Sequence, residues 1–112
     1  MLTLNRLYTM KVKLLISCAF LIGATGLVNA GDPAAGKTKA AACAACHGQV
    51  GISSNDEWPN LAGQKATYLI KQITAFREGG RTDALMNSMV KRLSDKDVAD
   101  LAAYYAGLKP ES

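Results

Sequence analysis

Cys43-Ala44-Ala45-Cys46-His47 constrains this chain more than any other stretch. Two cysteines separated by two residues, with a histidine directly after the second, form the pattern of covalent haem attachment of the c type. The spacing lets both thiols reach the two vinyl groups of one porphyrin. The next side chain, His47, then lies beneath the iron with an imidazole nitrogen free to ligate it. Two plainer readings compete. Half of a zinc site needs about four protein ligands in all, but the sequence holds one histidine and three cysteines. The third, Cys18, falls in what reads as a removable leader. A thioredoxin-like redox pair belongs in a βαβ setting, and no strand pattern accompanies the motif.

The first thirty residues read as an address. No acidic residue precedes Asp32, while Arg6, Lys11 and Lys13 come before the apolar run Leu14 to Val28. That run closes on Val28-Asn29-Ala30, with a small residue at the cut, which is the layout of a secretory signal peptide over residues 1–30. Met10 is the more usual start, because it leaves a short basic region before the apolar core. A retained anchor is the competing reading, but the uncharged stretch is shorter than the roughly 20 residues that span a bilayer comfortably. Leu15-Ile16-Ser17-Cys18 is similar to a lipoprotein signal, yet the apolar run continues past Cys18. Cleavage after Ala30 sends residues 31–112 to the periplasm and discards Cys18. An oxidising compartment is then implied by the leader rather than by disulfides.

Processing also changes the charge. Three of the 13 basic residues leave with the leader, so the formal charge falls from +4 to +1. Nothing in that balance supports nucleic-acid binding. The 82 residues that remain make one thin domain, of a size that often needs a staple to be stable. Val, Ile, Leu and Phe are few there and Ala is plentiful, so a rigid apolar cofactor must complete the core.

In chain order, Asp32-Pro33 is a helix start, with a carboxylate to cap and a proline at the first helical position. Ala34 to Ala42 reads as helix. Gly36, Ala40 and Cys43 share one face, and a mid-helix glycine, which costs about 1 kcal/mol relative to Ala, predicts close approach of another helix. Residues 48–63 are rich in breakers and read as loop. Gln64 to Arg77 predicts an amphipathic helix with Ala66, Leu69, Ile70, Ile73 and Phe76 on its apolar stripe. Gly79-Gly80 stop it. Ala84 to Arg92 reads as a loose turn or short helix containing Met86 and Met89. Ser94 and Asp97 resemble a capping box. They open a last helix that runs to about Leu108 with the stripe Val98, Leu101, Ala102, Tyr105 and Leu108.

Four segments carry a resemblance. They are Cys43-Ala-Ala-Cys46-His47-Gly48, Trp58-Pro59-Asn60-Leu61-Ala62-Gly63-Gln64, Phe76-Arg77-Glu78-Gly79-Gly80-Arg81, and Leu93-Ser94-Asp95 leading into Leu101-Ala102-Ala103-Tyr104-Tyr105. Together, from Gly31 to Leu108, they resemble class I cytochromes c of the bacterial periplasmic branch, which includes single-haem members and the halves of di-haem ones. The resemblance implies an all-α fold with the first and last helices crossing, packed around one covalent haem c held through Cys43 and Cys46. It further implies that the carbonyl of Pro59 accepts a hydrogen bond from His47, fixing the ligand's tautomer. Proline suits that role because its locked φ holds the carbonyl rigidly. The sixth iron ligand is implied to be a methionine. Met86 is the choice, seven residues before the Leu of Leu93-Ser94-Asp95, which leaves Met89 to pack around the haem.

The implied function is electron transfer and not catalysis. A low-spin haem held by His47 and Met86 would cycle one electron between a donor and an acceptor. Membrane respiratory complexes or a terminal oxidase are candidate partners of this soluble periplasmic monomer. The alternative makes the chain the electron-accepting cytochrome subunit of a periplasmic dehydrogenase. A gas-binding or peroxidatic haem with an open iron site is a third reading, against which the Met-containing segment counts.

Overall fold

The first helix begins where its sequence says it should. In the computed structural model, which describes residues 30–110, the Asp32 carboxylate accepts a hydrogen bond from the Ala34 N–H (2.9 Å) and Pro33 opens α1, Pro33–Lys39. The leader expected over residues 1–30 lies, Ala30 apart, outside the described residues, as do Met10 and Cys18. The helix expected as far as Ala42 tightens after Lys39 into a 3-10 turn, Ala40–Ala42, followed by the short α2, Ala44–His47. After the loop come α3, Ala66–Glu78, α4, Ala84–Val90, and α5, Asp95–Ala106. Among the described residues there is no strand, and no helix is long and apolar enough to cross a membrane.

The architecture turns on the crossing of α1 and α5. A Cβ built on Gly36 would lie 2.0 Å from the Asp100 carbonyl oxygen and 2.8 Å from Tyr104 Cβ, so only glycine lets the two backbones meet here. The close approach predicted from the mid-helix glycine is therefore present. The same crossing buries Asp100, 1% exposed, on the α1 side of α5. Its carboxylate accepts from the Asp32 N–H at 2.8 Å, Lys96 Nζ at 2.8 Å and Lys39 Nζ at 3.2 Å. Lys96 and the Asp32 amide hold it ionised, down to about pKa 2.

The core is small. Ala40, Leu69, Leu101, Ala102 and Tyr105 form its buried cluster, with Cys43, Leu61, Ile73 and Leu108 packed against it. Val98 (1% exposed), Leu101, Ala102 and Tyr105 of the expected α5 stripe are buried, and Leu108 packs against the cluster from beyond the helix end. The α3 stripe is narrower than expected, because Ile70 is 39% exposed. At about 100° per residue, Ala66, Leu69, Ile73 and Phe76 fall within an arc of about 80°, and Ile70 lies beyond its edge. α3 also starts two residues later than its periodicity suggested, since Lys65 keeps an extended backbone.

Local bonds fix the remaining joints. Gly79 ends α3 in the left-handed region, at φ +83°. Arg77 reaches from α3 to the entrance of α5, donating to the Leu93 carbonyl at 3.0 Å and to Asp95 at 2.7 Å. The capping box at Ser94 is complete with Asp97 in place of the usual Glu or Gln, and α5 ends at Ala106, short of Leu108.

Candidate haem site

One turn of backbone gathers the attachment motif. The Cys43 carbonyl accepts from both Cys46 N–H (3.2 Å) and His47 N–H (2.9 Å). Residues three and four apart are neighbours on a helix surface, so Cys43, Cys46 and His47 form one group. Both cysteines are partly buried, and neither forms a disulfide. Burial pushes the Cys43 thiol above its usual range. Gly48 then turns the chain away at φ +86°, where a Cβ would run into the Ile52 carbonyl.

The loop that follows is folded back onto this turn. The Gly51 carbonyl accepts from the Leu61 (2.8 Å) and Ala62 (3.0 Å) amides. Ser53 donates its hydroxyl to the Cys46 carbonyl at 3.1 Å, and its amide donates to Asn60 Oδ1 at 2.7 Å. These bonds return Pro59 to His47, whose Nδ1–H donates to the Pro59 carbonyl at 2.8 Å. A carbonyl can only accept, so Nδ1 carries a proton, and in the neutral ring it is Nε2 that keeps the lone pair. His47 is 7% exposed, and its buried ring is thereby held in one tautomer.

Met86 has no direct bond to this group. It stands partly buried at the start of α4, where its amide donates to the Asp83 carboxylate at 2.9 Å. Asn87 pins the same turn. Its Nδ2 donates to the Phe76 (2.6 Å) and Arg81 (2.9 Å) carbonyls, and its Oδ1 accepts from the Asp83 amide at 2.7 Å. Met89 is 51% exposed, more open than Met86. Ser53, Asn60, Asp83 and Asn87 are absent from the sequence-derived site. Their side chains bond to backbone groups, and only their turn-forming residue types hint at such roles.

Two thiols on one turn, beside a buried imidazole with a set tautomer and an unused lone pair, are the donor set that covalent haem attachment requires. The Cytochrome c family model matches residues 33–109. The chain belongs to the cytochrome c family. Membership implies a covalently bound haem c and a role in electron transfer. A cytochrome c4 of Pseudomonas aeruginosa is 49% identical over 98 residues, covering 87% of this chain and 49% of that protein. Cytochrome c-554(548) of Halomonas halodenitrificans is 51% identical over 80 residues, 69% of this chain and 96% of that one. The crystal structure of reduced recombinant cytochrome c4 from Pseudomonas stutzeri superposes with a TM-score of 0.60 at 35% identity, over 70% of this chain and 50% of that one. The chain thus spans about half the length of the cytochromes c4 it matches and resembles one haem domain of them. The helical class I cytochrome c fold expected from the sequence is the fold observed.

Proposed function

We propose that this cytochrome c is a periplasmic mono-haem electron carrier whose low-spin iron is held between His47 and Met86. The observation that carries the reading is the 2.8 Å bond from His47 Nδ1–H to the Pro59 carbonyl. It presents Nε2 as a ligand next to the two thiols that would hold the porphyrin, and a fixed acceptor raises the ligand's basicity. The haem supplies the one-electron couple. Cys43 and Cys46 hold it covalently, and His47 orients its ring without rotating. The Pro59 carbonyl keeps the imidazole directed, and Met86 would supply the second ligand to the iron. A thioether there favours the reduced iron and raises the potential. Ligation by both His47 and Met86 would leave no place on the iron for a substrate and would keep reorganisation on transfer small.

The partners are a redox donor and a redox acceptor. Docking to each is transient, with an interface under about 1,200 Å². Co-purification from periplasm separates the free carrier from a fixed dehydrogenase subunit, because only the subunit stays with a flavin- or metal-containing protein. Mass spectrometry tests the rest of the assignment. The periplasmic product should be residues 31–112 plus one haem, without lipid, and a chain beginning at a lipidated Cys18 would overturn the soluble assignment. Redox titration of that product should follow a single one-electron curve.

A further inference from the structure

Tyr105 is the polar group of this region that the proposed function leaves unused. It belongs to the buried cluster of α5, at 2% exposure, and Cys43 packs against that cluster. Its ring leans on Tyr104, with centroids 5.1 Å apart and planes inclined at 57°. Its carbonyl accepts the Gly63 amide at 2.9 Å, which ties this turn of α5 to the end of the haem-site loop. The residue is held from several sides, yet its hydroxyl is buried without a hydrogen-bond partner. Buried hydroxyls normally have one, so the orphan needs a reason.

The thiol packed against the cluster that holds Tyr105 is that of Cys43. Burial is the larger influence on both groups, each also bears on the other's ionisation, and the Tyr105 hydroxyl forms no hydrogen bond. A thiol and a hydroxyl can each donate, so between them the direction is open. A haem thioether has lost its proton and can only accept.

We propose that the Tyr105 hydroxyl donates a hydrogen bond to the Cys43 sulfur once that sulfur is a haem thioether, and so raises the reduction potential. The inference rests on the haem reading above. A donor on the sulfur draws electron density from the porphyrin edge, which stabilises the reduced state more than the oxidised one. Hydrogen bonding around the haem is one of the protein's levers on potential. Tyr105 acts through the sulfur and is a positioning residue, with no contact to the iron implied.

Tyr105→Phe removes one oxygen and keeps the ring, so the holoprotein should fold. Three quantities are compared with wild type: reduction potential, thermal midpoint, and the thioether C–S stretch in resonance Raman spectra. The proposal expects a lower potential, a shifted C–S stretch and no gain in stability. Tyr104→Phe, the control on the neighbouring ring, should leave the potential and the stretch alone. If the hydroxyl is merely an unsatisfied core group, Tyr105→Phe raises the midpoint and moves neither the potential nor the stretch. That result overturns the proposal, as does an equal potential shift in both variants. Wild-type protein lacking covalent haem would overturn the haem reading itself, whereas haem present with an unmoved potential overturns the Tyr105 assignment alone.

Discussion

Gly36→Ala tests the helix crossing on which the whole domain is built. The added Cβ would sit 2.0 Å from the Asp100 carbonyl oxygen and 2.6 Å from the carbonyl carbon. Carbon–oxygen contacts settle near about 3.3 Å, so α1 and α5 must part by roughly 1.3 Å. The atoms struck are main chain and cannot rotate away, which puts the cost near the upper end of overpacking, about 3 kcal/mol. Ala is the better helix former by about 1 kcal/mol, leaving a net loss of about 2 kcal/mol. For a domain of this size, that lowers the midpoint by roughly 8–16 °C. Thermal unfolding of the haem-loaded protein, followed by circular dichroism, measures it. Gly80→Ala is the control, because its Cβ would meet only the Ala75 carbonyl oxygen, at an ordinary 3.8 Å. It should be neutral or slightly stabilising. A Gly36→Ala protein as stable as wild type would mean that the two backbones do not touch as described, and would refute the reasoning.

Two further outcomes follow from the joints of the fold. Asp100 is held down from the ordinary 3.8 to about 2, so it contributes stability that is present above about pH 4 and lost as pH falls toward 2. Acid titration of Asp100→Asn should show a flatter stability profile across that window, and an unchanged profile would remove Asp100 from the acid response. Asn87→Ala removes the bonds to the Phe76 and Arg81 carbonyls and to the Asp83 amide. Its far-red sulfur–iron(III) absorption should then vanish at a lower temperature than its helical signal, whereas simultaneous loss would mean that α4 does not loosen alone.

The attachment motif is legible because the chemistry imposes its spacing, and one helical turn satisfies it without help from distant residues. The α1–α5 crossing is legible for a similar reason. A glycine inside a helix is unfavourable locally, so its presence at position 36 signals a neighbour. Asp100 was not legible. Its amide partner at Asp32 and its lysine partner at Lys39 lie far away in sequence, and only the Lys96 pairing has a helical spacing. The stripe on α3 misled at Ile70 because apolar periodicity marks an arc without marking its edge. Asn87 was invisible for the reason that side-chain-to-backbone bonds usually are: the carbonyls it satisfies belong to no motif. Tyr105 lay on the expected stripe of α5, but periodicity treats tyrosine as an apolar ring and says nothing of its hydroxyl.

The axial pair is the central claim, and the far-red absorption of the oxidised protein tests it most directly. That band marks a sulfur–iron(III) bond. Measured on wild type, Met86→Ala and Met89→Ala side by side, it should be present in the first, absent in the second and retained in the third. Loss of the band in Met89→Ala with retention in Met86→Ala would move the ligand by three residues. A wild-type spectrum without the band would contradict methionine ligation altogether.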